Sequence, residues 1–398
     1  MTPSSLPVIR LKPKANAAAI RHGAPWVYDN ELVTDRRTKA IAPGSVAILE
    51  DAARLPLALV AVNTSSRIMA RVLSRDVSTQ INKAWLKAKL DRALALRSRL
   101  FDAPYYRLVH AEADGLPGVI IDRFGDTAVV QPNAAWAEVL LPELMEALVD
   151  VTGVSCVLKN ASGRARGLEG LDDMSTTLVG VAPTGPIPVP MNEATYMADL
   201  IGGQKTGLFF DQRPNHAFAA RLAKHARVLD VFSHVGGFAL ATLKAGGASA
   251  LAVDGSAPAL ELAVKGAEAS GVADRFETRQ GDAFDVLTKL NEEGAQFDLV
   301  ICDPPAFAPN RKALEAGLRA YERIARLASP LVSEGGSLVL CSCSHAASLD
   351  KFRASSVRGI GRAGREATLI HTGFAGPDHP LHPSLAESGY LKALFFRL

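Results

Sequence analysis

Along the first 75 residues the apolar positions come in short runs, Val8 to Leu11, Val46 to Glu50, Leu57 to Val62 and Ile68 to Val72, interrupted by turn residues such as Pro43-Gly44. Short apolar runs between Gly/Pro punctuation predict strands, so this stretch reads as a small β-rich module. From Asn82 to Leu100 the period changes: apolar residues recur at helical spacing with Lys and Arg between them, which predicts a basic amphipathic helix. It opens a second unit that runs to about Thr184. There Val119 to Asp122 and Thr127 to Pro132 flank Arg123-Phe-Gly-Asp126 as a hairpin, and a helix near Ala135 to Val149 and a strand near Val154 to Lys159 follow. The segment Pro183-Thr-Gly-Pro-Ile-Pro-Val-Pro190 holds too many prolines for a helix or a central strand and reads as a linker.

Beyond it, strands alternate with helices. The strands are Val228 to Phe232, Ala250 to Asp254, Arg275 to Thr278, Phe297 to Asp303 and Ser337 to Ser342; the helices are Ala239 to Ala245, Ala257 to Ala269, Ala283 to Leu290 and Leu314 to Leu327. Near-continuous apolar strands alternating with helices build an α/β layer structure, a mostly parallel sheet covered on both faces. Ala367 to Phe374 and Tyr390 to Leu398 supply two more strands at one edge. The expected domains are 1–75, a β-rich module; 76–184, a central α+β domain; and 185–398, the parallel-sheet domain.

Length agrees with this division, because a chain of 398 residues exceeds the size at which one core stops growing. A net charge of +3 and a pI of about 8.6 permit a phosphate-rich partner without demanding one, so any basic footprint is local. One candidate is Arg10, Lys12, Lys14 and Arg21 beside Trp26 and Tyr28, groups that can contact phosphates and stack on bases. The same mixture reads equally well as a solvated face around a partly buried Trp. The four cysteines form no CxxC pair and no zinc-type spacing, so no metal is expected. The chain opens without a charged-then-apolar leader, and no apolar run reaches the roughly 18 to 20 residues that cross a bilayer. A cytoplasmic protein with no membrane contact is the expectation.

The chemistry gathers at the strand ends, where open parallel sheets bind ligands. The first strand ends in Asp230-Val-Phe-Ser-His-Val-Gly-Gly-Phe238, an acidic tip followed by a glycine pair before a helix. The second ends in Asp254, whose carboxylate can accept from two ribose hydroxyls. Asp282 follows the third, and Asp303-Pro-Pro-Ala-Phe307 ends the fourth. Four carboxylates at successive tips are hard to explain by packing, since unpaired carboxylates are seldom buried. Asp-Pro-Pro-Ala-Phe admits two readings: it presents Asp303 to an exocyclic base amine while Phe307 stacks on a flipped base, or it orients a base for attack at carbon. The fifth strand ends in Cys341-Ser-Cys-Ser-His345, where one cysteine should project toward the ligand. Carbon-5 of cytosine is too weak a nucleophile to take a methyl group directly, and a thiolate adding to carbon-6 makes it strong enough. Cys341, flanked by Leu340, and Cys302, inside the fourth strand, read as small buried apolar groups.

These residues resemble the bacterial large-subunit (23S) ribosomal RNA cytosine-C5 methyltransferases with an N-terminal PUA domain, over nearly the whole chain. Arg21-His-Gly-Ala-Pro-Trp-Val-Tyr28 and Ser66-Arg67 through Arg71-Val-Leu-Ser-Arg-Asp76 are similar to the PUA-type module. Glu112-Ala-Asp-Gly-Leu-Pro-Gly118 through Asp126 is similar to the family's central domain. Gly203-Gln-Lys-Thr-Gly-Leu-Phe-Phe-Asp-Gln-Arg213, the Gly-Gly loop, Asp-Pro-Pro-Ala-Phe and Cys-Ser-Cys-Ser-His follow in family order.

The resemblance implies a Rossmann-like class I methyltransferase domain using S-adenosylmethionine. Asp230, Phe232, Gly236 and Gly237 would line the cofactor, Asp254 with Gly255 its ribose, Asp282 with Ala283 its adenine, and Asp303 its methionine end or the base. Lys205, Gln212 and Arg213 would close the cleft. Cys343 would be the nucleophile, with Asp303 assisting, and Pro304, Pro305, Phe307, Arg21 and Trp26 would contact substrate. The implied partner is 23S ribosomal RNA, with a homodimer left open. The chain departs from the family pattern at Ser233-His234-Val235, at Ala346 and at Asn192-Glu193-Ala194-Thr195. Two other readings compete: methylation of an exocyclic amine, and an RNA-binding assembly factor that does not turn over. A dehydrogenase is disfavoured by the glycine spacing of the turn.

Overall fold

A computed structural model describes residues 6–203 and 207–398. The chain divides into two compact units, one of residues up to Thr184 with Asp378–Leu385, the other of Gly185–Pro377 with Ala386–Leu398.

The first unit contains two five-stranded sheets. In spatial order the first has Val8–Arg10, Val46–Glu50, Pro56–Val62, Ala70–Ser74 and Trp26–Val27, and the second Thr176–Val179, Cys156–Lys159, Thr127–Pro132, Val119–Phe124 and Tyr105–His110. The basic helix spans Lys83–Leu100, and Asn82 caps it by accepting the Trp85 amide at 3.1 Å. Where one helix was expected near Ala135 to Val149 there are two, Ala135–Val139 and Leu141–Thr152. Pro142 sits in the first turn of the second, where its missing N–H costs nothing. Arg71 knits the unit together by pairing with Glu112 at 3.1 Å and Glu169 at 3.0 Å. Asp378 is fully buried here, its carboxylate accepting the Arg107 amide at 3.1 Å and its carbonyl accepting from Arg97 at 3.0 Å.

The second unit is built on a seven-stranded sheet. Its strands are β1 (Arg227–Val231), β2 (Ser249–Asp254), β3 (Phe276–Gln280), β4 (Phe297–Cys302), β5 (Val332–Ser342), β6 (Thr368–Gly373) and β7 (Lys392–Arg397). They lie in the order β3-β2-β1-β4-β5-β7-β6; β1 to β5 are parallel, and β7 is antiparallel to both its neighbours. The helices are α1 (Arg213–Arg221), α2 (Gly237–Lys244), α3 (Ala257–Ala269), α4 (Ala283–Glu292), α5 (Leu314–Ala328) and α6 (Leu349–Arg362). Leu229, Val231, Val300, Leu338 and Leu340 of the sheet pack with Leu287, Tyr321, Ile324 and Phe352 of α4, α5 and α6 in one core cluster. Strand order reverses between β1 and β4, which opens a crevice beyond their C-terminal ends.

The proline-rich segment is more than a linker. Ile187–Met191 pairs antiparallel with Ala194–Ala198, in a hairpin that turns on Asn192 and Glu193. Both turn residues have positive φ, 51° and 63°, the twist that two-residue hairpin turns require. With Met191 and Ala194 closing the turn, alternation puts Pro188 and Pro190 where neither nitrogen faces the partner strand, so the missing donors go unused. Glu193 carries the left-handed cost that glycine avoids, on the order of 1 kcal/mol. Glu193→Gly should therefore raise the melting temperature of this unit by about 2–4 °C; a scanning-calorimetry endotherm that stays put or falls would show that the turn is unstrained.

Candidate active site

Asp230 occupies the buried tip of β1, fully inaccessible. Its Oδ2 accepts the Ala239 amide from the first turn of α2 at 2.9 Å. Among the described residues its Oδ1 has no hydrogen-bond partner, nor has the buried Ser233 Oγ three residues on. Burial, helped by Asp254 and opposed by the helix amide, pushes the Asp230 carboxyl up to about 7. A buried carboxyl with an unused oxygen is costly alone and is suited to a cationic or donating ligand group.

The turn after β1 is strained. Phe232 and His234 sit at φ 64° and 50°, and Gly236 at 80°. Left-handed conformations of non-glycine residues persist only where neighbours over-determine them. Here the His234 amide donates to Asp254 Oδ2 at 2.9 Å and the Ser256 amide to Oδ1 at 2.8 Å, so Asp254 ties the tips of β1 and β2 together. Beneath the turn, Tyr196 of the hairpin donates its hydroxyl to the Gly237 carbonyl at 3.0 Å. A Cβ on Gly237 would lie 2.8 Å from the His216 ring, so no larger residue fits. Burial depresses the His216 imidazole to about 3 and keeps it neutral. Sequence reasoning missed Tyr196 and His216; an isolated Tyr in a proline-rich stretch gives no signal of what it braces.

The other expected residues are placed as follows. Asp282 caps α4, accepting the Phe284 amide at 2.9 Å and the Asp285 amide at 3.3 Å, and is exposed; Ala283 is buried in the first turn. Gly255 is exposed, with nothing closer than 3.9 Å to where a Cβ would stand. Gln212 is buried before α1, its Oε1 accepting from Asn215 at 2.6 Å, and the Arg213 guanidinium lies 5.4 Å from the Phe210 ring centre. Lys205 lies outside the described residues. Asp303 is half-buried, and its amide donates to the Val231 carbonyl at 3.1 Å. Pro304 is buried and Pro305 exposed. Phe307 is half-buried, its ring centre 5.1 Å from that of Tyr321 and 6.2 Å from that of Phe284. Arg21 and Trp26 belong to the first unit: Arg21 pairs with Asp51 at 2.7 Å, and the Trp26 indole N–H donates to Glu112 at 2.8 Å.

At the end of β5 the cysteines are sorted by where the strand stops, after Ser342. Ser342 and Ser344 are fully buried; Ser342 Oγ donates to the Tyr321 hydroxyl at 2.9 Å, and Ser344 Oγ shares a hydrogen bond with it at 2.7 Å. The Ala308 amide adds a further donor to Ser344 Oγ at 2.9 Å. With the serines facing inward on one side, Cys343 between them takes the other. It is half-exposed, while Cys156, Cys302 and Cys341 are buried. Its Sγ lies 4.0 Å from the Pro304 carbonyl, against the Asp-Pro-Pro turn. Burial, with Asp303 and Asp230 nearby, pushes the Cys302 and Cys341 thiols up, so both are held neutral.

Lys392, the first residue of β7, was not anticipated. It is 4% exposed and donates to the Ser344 carbonyl at 2.7 Å and the Ala347 carbonyl at 2.8 Å, holding the loop that carries Cys343. Its one sequence signal is a cation inside the apolar run Leu391-Lys-Ala-Leu-Phe-Phe396. Among the described residues no cluster of three or more His, Cys, Asp or Glu could hold a metal ion, and no helix is long and apolar enough to cross a membrane.

A parallel sheet in this order, with carboxylates at its tips and a glycine turn between, defines a nucleoside-cofactor transferase fold. The sequence matches the S-adenosylmethionine-dependent methyltransferase family over residues 174–397 and a PUA-like domain over residues 9–75. The chain is therefore an S-adenosylmethionine-dependent methyltransferase. It is 34% identical over 411 residues to a ribosomal RNA large subunit methyltransferase of Deinococcus radiodurans, covering 99% of this chain and 98% of that one. It is 32% identical over 403 residues to ribosomal RNA large subunit methyltransferase I of Klebsiella pneumoniae, covering 100% of both. The chain belongs to this family of ribosomal RNA large subunit methyltransferases. A SAM-dependent methyltransferase from Streptococcus mutans has the same fold, with a TM-score of 0.82 at 18% identity over 99% of this chain and 100% of that one. So does the methyltransferase SMU.776 in complex with SAH, with a TM-score of 0.84 at 18% identity and the same coverage.

The residues present fit the cofactor, because among the described residues the buried Asp230 Oδ1 and Ser233 Oγ lack partners at the tip of the strand where its polar end would lie. Lys392 gives a test of the loop beside them. Burial lowers its ammonium to about 8 from the usual 10.5, with Cys343 opposing the shift. Between those two values the unfolded chain binds more protons than the folded one, so stability rises with pH there. The melting temperature of the wild type minus that of Lys392→Met should increase from pH 8 to 10.5; a difference that is flat across that window would show that the amine titrates as in water.

Proposed function

We propose that this methyltransferase modifies carbon-5 of a cytosine in large-subunit (23S) ribosomal RNA, in the cytoplasm, with Cys343 as the covalent nucleophile. The observation that carries the reading is the placement of Cys343, the half-exposed cysteine among three buried ones, with its sulfur against the Asp303-Pro-Pro turn. Methylation of an exocyclic amine has no use for such a thiol. The substrate class follows the names of the relatives, and the PUA-like residues 9–75 would contribute to docking.

Bound S-adenosylmethionine would supply an electrophilic methyl group. Asp230, Ser233 and the Gly236–Gly237 turn would hold its polar end, Asp254 and Gly255 its ribose, and Asp282 and Ala283 its adenine, while Phe232, Gln212 and Arg213 close the cleft. On the substrate side, Pro304 and Pro305 present the turn that seats a flipped cytosine, at a cost of a few kcal/mol if the base was paired. The Cys343 thiolate adds to carbon-6, and Asp303 hydrogen-bonds the pyrimidine edge as the ring accepts electron density. Carbon-5, now enamine-like, would take the methyl group as its bond to the sulfonium breaks, leaving the cofactor as a neutral thioether. Removal of the carbon-5 proton by a base then expels the thiolate and restores the aromatic ring, so the cysteine leaves unchanged.

The test is nucleoside mass analysis of unmodified 23S rRNA incubated with enzyme and cofactor. The expected product is 5-methylcytosine, and Cys343→Ala should lower its formation by on the order of 10^4-fold or more while cofactor binding is retained. A methylated exocyclic amine, or a variant that works as well as the wild type, would overturn the reading. No transfer beside tight RNA binding would favour an assembly factor.

A further inference from the structure

In the first unit the strand Ala70–Ser74, the helix Lys83–Leu100 and the returning segment Asp378–Leu385 border a cavity of about 200 Å³. Ser74, Arg75, Lys89, Glu112 and His382 are among its lining residues. That is below the roughly 300–1,000 Å³ usual for small-molecule pockets, and the polar lining suits a compact charged group with water.

Its charge is unbalanced. The Lys89 ammonium is half-buried beneath Gly115, 5.4 Å from the Trp85 ring centre, and among the described residues it makes no hydrogen bond or ion pair. Arg75 is exposed; its Nε donates to the Ile20 carbonyl at 2.9 Å, and it too has no carboxylate partner among the described residues. Arg92 follows Lys89 on the same helix, and burial, then Arg92, then Arg75 all disfavour the Lys89 charge. Glu112 is the carboxylate lining the cavity, and its Oε1 already accepts from Trp26 at 2.8 Å and Arg71 at 3.1 Å; Arg71 also pairs with Glu169 at 3.0 Å, so it offsets Glu112 only in part, and the two cations Arg75 and Lys89 still outnumber that carboxylate. Cations that outnumber the carboxylates at a polar cavity destabilise one another until an anion enters, and charge-assisted hydrogen bonds to phosphate are among the strongest available.

We infer that this cavity receives a backbone phosphate of the RNA substrate, held by Arg75 and Lys89. The inference rests on the proposal that the substrate is RNA and adds where its backbone is gripped. Phosphate contacts fix register without reading sequence, so the site would set how the RNA docks, not which base reacts. Glu112, held by Trp26 and Arg71, forms part of the cavity wall.

The experiment uses the full chain with Arg75→Gln and Lys89→Gln combined, and reads rRNA affinity across 50–200 mM salt together with methyl transfer at varied RNA. The expected result is a KM for RNA raised about tenfold or more, a slope of log affinity against log salt shallower by about 0.7–0.9 for each cation withdrawn from the phosphate, and an unchanged kcat at saturating RNA. Lys89→Arg, which keeps the charge, should retain most of the affinity, and unchanged cofactor binding confirms folding. Wild-type affinity and salt slope in the double variant would overturn the inference. So would thermal stabilisation by millimolar inorganic phosphate that depends on Arg75 and Lys89 while RNA affinity does not, since the anion would then be a free one. Because affinity is read without turnover, a wild type that forms no 5-methylcytosine would sink the proposed reaction and leave this result standing or falling by itself.

Discussion

At the end of β5 one tyrosine hydroxyl holds two serine hydroxyls, Ser342 at 2.9 Å and Ser344 at 2.7 Å, and all three groups are in the core. Buried hydroxyls are expensive to leave unpaired, so this network fixes the strand's phase as it runs out of the sheet. Once the serines are inside, the residue between them must face the other way, and that residue is Cys343. Cys341 shares its face two positions earlier but lies within the sheet, where burial keeps its thiol protonated. Two identical side chains on one face thus receive different environments, because one lies within the sheet and the other just past the strand's end. Lys392 completes the arrangement from β7, its ammonium gripping two carbonyls of the loop from some 45 residues away in sequence.

The opposite side of the cleft follows an equivalent logic with carboxylates. Asp230 is buried deeply enough to approach neutrality near pH 7, and Asp254 spends both oxygens on backbone amides that hold the strained turn. The positive φ of Phe232 and His234 is the strain that this carboxylate over-determines. Tyr196 and His216 brace this turn from below; if it holds the cofactor as proposed, binding need not meet the cost of ordering it.

Much of the catalytic half was legible because parallel strands buried on both faces read as continuous apolar runs, and β1, β2, β4 and β5 do so. The strand tips carried their acidic residues in plain sight. What stayed hidden had local signals that pointed elsewhere. Pro188 and Pro190 argued against a strand, yet their spacing of two is what lets both occupy non-bonded positions of the hairpin. Tyr105–His110 and Thr176–Val179 are interrupted by polar residues such as Arg107 and Thr177, so no apolar run marked them. The packing of Phe307 against Tyr321 and Phe284 left no mark in the Asp-Pro-Pro-Ala-Phe motif. The hydrogen bond from the Trp26 indole N–H to Glu112 was equally invisible in the sequence. For Phe307 and Trp26 the partners lie well outside the local segment, and spacing alone carries no record of them.

The most direct test of the central claim is to trap the enzyme on RNA containing 5-fluorocytosine in the presence of S-adenosylmethionine, where fluorine at carbon-5 leaves no proton to remove. Mass mapping of the trapped peptide should place the pyrimidine on the sulfur of Cys343. A bond to Cys341 or Cys302, or no covalent species while the natural RNA is still methylated, would contradict the account.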